Sequence, residues 1–378
     1  MSASPPPPHP GLRALAWFWG ATATLLLGGG LTLQLLGPPA PSGPGRGAGK
    51  PVAAHAATPR TGASRTGVSA SAPDAQGADP AGAGMADATL PPDSVVARPD
   101  AMPGAIPPPD PALLEPASAF PDGALPRISA FGITPMRAYA RPAPPPDGKP
   151  RIAILIGGIG LAERDTDEAI RLLPGPVDLA FSAYAVDTGP ALEAARRAGH
   201  EFLISIPMEP AGFPRTDAGF RSLLTGAGPG LNRRNLDWAL SRIAGYIGAT
   251  GASDGLRGER FAANAPEFDE VARTLAARGL LYIDPRPGAG LPTLLAGRAV
   301  DLVLDEPPDA IDAKLDALEQ AARRGGAALG LAAPPRPAVV RRIAAWARTL
   351  PARGIELVPA SALILPPRTG DGPGDGNG

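Results

Sequence analysis

The 378-residue chain has 35 basic and 36 acidic residues, a net charge of −1 and no basic stripe, which excludes a nucleic-acid face. It has no cysteine, which excludes disulfides, thiolate metal sites and cysteine nucleophiles; of its three histidines only His200 falls in the folded part, which excludes a multi-histidine metal site there. Its 51 Pro and 48 Gly crowd the first 150 positions and aromatics are only 4%, so one compact C-terminal domain of about 220 residues behind a long unstructured part is expected.

Residues 1–14 form a short head. Residues 15–36 are apolar and uncharged, long enough at 1.5 Å per residue to span the roughly 30 Å hydrocarbon core. Trp17 and Trp19 stand where interfacial aromatics belong. A single-pass anchor in the inner membrane is expected; the alternative is a cleaved signal peptide, whose apolar core is usually shorter, about 7–15 residues. Arg13 before the segment and Arg46 and Lys50 after it leave the positive-inside rule without a vote. The C-terminal domain is expected on the periplasmic side, because a short head with a long translocated tail is a common single-pass arrangement.

Residues 37–149 are mostly Pro, Ala, Gly, Ser and Asp, with Phe120, Phe131 and Tyr139 their only aromatics. They cannot bury enough apolar surface to offset ordering entropy, which predicts a disordered tether with a mean span of about 60 Å. Residues 130–139 are open to two readings, a short extended arm docked on the domain or plain disorder.

The texture changes at Arg151. RIAILIGG is an apolar run ending in glycines, a buried strand. Helices are expected at 163–173, 188–198 (closed by Gly199), 232–246, 266–278 (closed by Gly279), 310–324 and 338–350. Strands are expected between them at 177–183, 201–206, 247–251, 280–284, 299–304, 327–332 and 354–358, with a disordered tail from about 367. This alternation predicts an α/β domain at 150–366, a distorted or incomplete (β/α) barrel, with an open doubly wound sheet as the runner-up. In either fold a site gathers where the strands end.

Those ends supply the candidates. Asp284 and Asp305 are the catalytic candidates, against the plainer possibility that they cap helices or pair with Arg286. Gly157, Gly158, Met208, Glu209, Asp254, Glu259 and Arg286 are the candidates for a substrate pocket. The GGIG at 157–160 lacks the GxGxxG order of a phosphate loop and suits a tight turn. His200, between a helix-stopping glycine and a strand, reads as structural.

The ordered series RIAILIGGIG, VDLAFSAYA, AGHEFLISIPMEP, LLTG, NLDWALSRIAGYIGA, RGLLYIDPRP and LVLDE resembles the divergent polysaccharide deacetylase family from about Arg151 to Pro366. The resemblance implies a barrel of the glycoside hydrolase/deacetylase type. It also implies a metal-dependent removal of acetyl groups from carbohydrate, in which a carboxylate and imidazoles hold the metal.

The departures fall on that chemistry. Where the family has paired aspartates after its first strand, this chain has Gly157-Gly158. Where it has an Asn-Asn-His-Met-Gly-Ser passage, residues 249–260 contain no histidine. Where it has glycine–histidine–proline, Gly330 is followed by Leu331-Ala332. His200, Glu209, Asp284 and Asp305 remain. The expectation is an envelope protein in carbohydrate metabolism that is catalytically degenerate, holds no cofactor, and binds a glycan or an envelope protein but no nucleic acid. Two alternatives stay open: a working deacetylase with a divalent metal on a rearranged carboxylate site of Asp254, Glu259, Asp284 and Asp305, and a non-catalytic envelope scaffold.

Overall fold

The computed structural model describes residues 104–305, 307 and 310–367. The expected anchor at 15–36 and most of the tail lie outside them, and among the described residues no helix is long and apolar enough to cross a membrane.

The domain is built on parallel strands. In chain order these are β3 (Arg151–Ile159), β4 (Asp178–Ser182), β5 (Phe202–Ser205), β6 (Gly248–Thr250), β7 (Leu281–Asp284), β8 (Gly297–Ala299), β9 (Leu302–Val303), β10 (Ala327–Ala332) and β11 (Glu356–Leu357). The ladder runs β8-β7-β6-β5-β4-β3-β10-β9, with β11 added along the first residues of β3. All these pairings are parallel. The expected strand 299–304 is therefore two short pieces, because its stretch of chain changes partner. Gly297–Ala299 pairs with β7 and Leu302–Val303 with β10, so the two ends of the ladder lie on one passage of chain and the sheet curls as an incomplete barrel.

Alternation along the strands separates two cores. Ile152, Ile154, Ile156, Leu179, Phe181, Phe202 and Ile204 face the helices. Ala153, Leu155, Ala180, Leu203, Ile283, Leu329 and Leu331 fill the bore. The outer layer is α2 (Glu163–Leu172), α3 (Gly189–Ala198), α4 (Pro229–Leu240), α6 (Ala265–Ala277), α7 (Ile311–Gly325) and α8 (Pro337–Ala347), preceded by α1 (Pro135–Ala138) and completed by short α5 (Glu259–Ala263) and α9 (Ser361–Ile364). Gly199 closes α3 at φ 81, as its position predicts. Helix α4 ends six residues before the expected 246, as Ser241 Oγ donates to Trp238 O (2.9 Å) and Gly245 takes φ 75.

The largest correction concerns the tether. The expected disorder over 37–149 does not hold from Gly104 onward. Leu114–Pro116 and Ala124–Pro126 form an antiparallel pair, β1 and β2, and α1 follows. Ile106, Leu113 and Tyr139 are buried in the bore-side core, each adding about 1.5–3 kcal/mol of apolar burial. The Tyr139 hydroxyl accepts from the Asp110 N–H (2.8 Å), and Arg278 Nη1 donates to Glu115 Oε1 (2.7 Å) and Pro126 O (2.8 Å). The arm orders on a surface that the barrel supplies, which its own composition does not reveal.

Candidate functional site

The strand ends are shaped first by β3. Between Ile156 and Ile159 it carries one more residue than its partner β4, a bulge at Gly157-Gly158, with Gly158 at φ 78 where a side chain would be strained. Gly157 shares the bore-facing parity of Ala153 and Leu155. A Cβ on it would lie 2.9 Å from Ala333 Cβ and 3.6 Å from Ala252 Cβ. Ala252 and Ala333 belong to the bore core, so small apolar groups from three strand ends close the centre of the barrel mouth.

Asp305 sits beside this plug. Its Oδ1 accepts from the Ala333 N–H (2.8 Å) and its Oδ2 from Arg257 Nη1 (3.2 Å). Burial pushes its carboxyl above the ordinary value, against the pull of that N–H and of Arg257. Arg257 Nε also lies 3.7 Å from Glu259 Oε1, and Glu259 Oε2 accepts from the Ala211 N–H (3.3 Å).

Asp284 is placed differently. It shares a face of β7 with Tyr282, whose ring meets Phe268 of α6 edge-on at 5.3 Å, so it belongs to the helix side. Its two oxygens are gripped by Arg286 Nε (3.0 Å) and Nη2 (2.7 Å), and the Arg286 N–H adds a third bond (2.9 Å). Asp284 in turn holds the guanidinium above its ordinary pKa. The pairing of Asp284 with Arg286 is the plainer of the two readings open from sequence. Tyr282 is fully buried with its hydroxyl against Gly251, and burial pushes the phenol well above its usual value.

Glu209 is buried, with Oε1 on Arg260 Nε (2.9 Å) and Oε2 accepting from the Thr225 N–H (2.5 Å). Met208 packs under Gly258 and Gly251. Asp254 is exposed at φ 47 and joins no ion pair among the described residues; Glu306 lies outside them. His200 is fully buried, its Nδ1 2.7 Å from Val177 O and Nε2 3.3 Å from Ile170 O. Burial pulls its pKa down, favouring the neutral ring, whose one N–H can donate to only one of the carbonyls that face it at the opening of β4 and in α2. No nucleophile–histidine pair is available from it.

The implied metal can be tested against these groups. Hydrolytic sites take three protein ligands and keep a position open. Here Asp305, Asp284, Glu259 and Glu209 each face an arginine, Asp284 faces away from the bore, and methyl groups fill the centre. Among the described residues no three His, Asp or Glu side chains form a group able to hold a metal ion. The residues present do not fit the metal, and the rearranged carboxylate site does not assemble. Sequence reasoning missed Ala252 and Ala333 as the plug; the bore-facing parity of Gly157 was the available signal.

The domain is a parallel (β/α) fold with carboxylate–arginine pairs around its strand ends. The chain belongs to the divergent polysaccharide deacetylase family, whose model matches residues 154–364. It is similar to the crystal structure of the uncharacterized protein ATU2773 from Agrobacterium tumefaciens C58, at 35% identity and TM-score 0.58, over 64% of this chain and all of that one. It is also similar to the catalytic domain of a peptidoglycan N-acetylglucosamine deacetylase from Eubacterium rectale ATCC 33656, at 12% identity and TM-score 0.35, over 61% of this chain and 94% of that one. No curated protein matches the chain.

Proposed function

We propose that this protein is a membrane-tethered envelope component whose deacetylase-type barrel has lost metal hydrolysis and binds a glycan. The observation that carries the reading is the closed mouth, where Gly157 abuts Ala333 and Ala252 and, among the described residues, every carboxylate around them except Asp254 is taken by an arginine. A hydrolase needs an open position beside its activated water, and this centre offers methyl groups instead. The apolar, uncharged residues 15–36 support the tether. The test is acetate release by the full-length chain from acetylated chito-oligosaccharides with Zn²⁺, Co²⁺ or Mg²⁺ added, run beside a glycan-binding measurement. Binding without release is expected. Metal-dependent release that disappears in Asp305→Asn overturns the proposal.

A further inference from the structure

Beside the closed mouth, the loop between β5 and α4 holds an aromatic group in the open. Phe220 is 82% exposed, and its ring centroid lies 5.6 Å from Tyr184 and 6.2 Å from Trp238; Tyr184 and Trp238 are 5.1 Å apart. Val186, two residues past Tyr184, is 71% exposed. A single large apolar residue on a surface needs no explanation; a trio of rings in tilted contact with an open face marks a contact site.

The loop does not leave Phe220 exposed by slackness. Asn232 of α4 brackets Leu224 through both backbone groups (2.9 Å each), and Asn235 Nδ2 donates to Ser222 O (3.0 Å). The Arg221 N–H donates to the Tyr184 hydroxyl (3.0 Å), and the Thr225 N–H to Glu209. Gly219 lets the chain pass over Tyr184: at φ 104, a Cβ there would lie 2.5 Å from the phenol oxygen. The ring is preorganised outward, which lowers the ordering cost of binding.

Arg221 supplies the second observation. Its guanidinium stands 5.8 Å from the Phe120 ring and 5.9 Å from those of Phe220 and Trp238. Unlike Arg257, Arg260 and Arg286, it has no carboxylate partner among the described residues. Asp217 in the same loop commits an oxygen to the Gly219 N–H (2.9 Å). An unpaired guanidinium framed by rings suits a carboxylate, which it can accept in fork geometry. The negative face of an aromatic ring suits the C–H face of a pyranose.

We infer that Phe220, Tyr184, Trp238 and Arg221 form the binding subsite for a carboxylate-bearing glycan, one sugar stacking on Phe220 while its acid group meets Arg221. The inference rests on the glycan-binding reading and names the ligand's chemistry and the place it binds.

The test titrates the full-length chain with three probes. Two are acidic: hexagalacturonate and a peptide-free strand of alternating N-acetylglucosamine and N-acetylmuramic acid. Chitohexaose is the neutral control. The wild type is expected to favour at least one acidic probe over chitohexaose. Phe220→Ala should weaken binding about tenfold while Phe220→Trp retains it, and Arg221→Gln should erase the acidic preference. Phe220 is exposed, so its variants are expected to fold. Glycan binding unchanged by Phe220→Ala and Arg221→Gln overturns this subsite and leaves the glycan reading standing. A wild type that binds no glycan, whether or not it binds a protein through Phe220, overturns both.

Discussion

The two ends of the barrel both bury carboxylates, and they hold them by different means. At the mouth, Asp305, Asp284 and Glu209 each meet an arginine. At the floor, where β4 and β5 begin, Asp178 and Glu201 are fully buried against each other. Asp178 accepts from the Ala360 N–H (2.9 Å), and Glu201 from the Arg141 N–H (2.5 Å) and Ser361 Oγ (2.5 Å). Burial, and for Asp178 also the neighbouring Glu201, pushes both carboxyls above their ordinary range. The floor pair ties α9 and the ordered arm to the sheet. The mouth pairs fix loops and neutralise acids that a metal would need free. The lesson is that a buried acid in this fold does not by itself mark chemistry; what faces it does.

The largest effect is expected at the floor. Glu201→Ala strands the Arg141 N–H and the Ser361 hydroxyl, and should cost about 3–5 kcal/mol in chemical denaturation. Next comes Asp284→Ala at the mouth, which leaves the Arg286 guanidinium, 21% exposed, without its partner; about 2 kcal/mol is expected because water reaches part of it. Loss of acetate-releasing activity in that variant, rather than of stability, would erase the contrast between the ends.

Gly157→Ala tests the plug. Its methyl meets Ala333, so a loss of about 1–3 kcal/mol is expected, and a double-mutant cycle with Ala333→Gly should return about 1 kcal/mol as coupling. Absence of coupling would mean the mouth is looser than described.

The smallest effect reads the floor pair by pH. With raised folded-state values, the floor pair retains a proton that the unfolded chain releases near the ordinary carboxyl range. Its stabilising contribution is full below that range and is lost as pH rises through the raised folded value. Asp178→Asn keeps an oxygen for the Ala360 N–H and removes the titrating carboxyl, so it should cost under about 1 kcal/mol at neutral pH and flatten the decline in stability with rising pH. An undiminished slope in denaturation series would show that burial at the floor does not raise the Asp178 carboxyl.

Much of the barrel was legible because its strands are short apolar runs separated by amphipathic helices with glycine stops, a local signal. RIAILIGGI is buried at every position, as a central parallel strand requires. The split of 299–304 was hidden because changing partner in mid-strand is a tertiary event. The docking of 130–139 was one of two readings open from sequence and holds at Tyr139; the arm before it was hidden because Ile106 and Leu113 are sparse among prolines and order only against the barrel. At the site, the departures from the family's motifs could be read from residue type alone. The partners Arg257, Arg260 and Arg286 were visible as charges near the acids, but which acid each takes depends on loop paths. Asp178 and Glu201 were passed over because a charge at the start of a buried strand looks like an edge rather than a core group.

The most direct test of the closed mouth is a Zn²⁺ titration of the full-length chain, read by metal stoichiometry after desalting. No retained metal at one per chain is the expected result. One tightly held Zn²⁺ per chain, lost in Asp305→Ala, would contradict it.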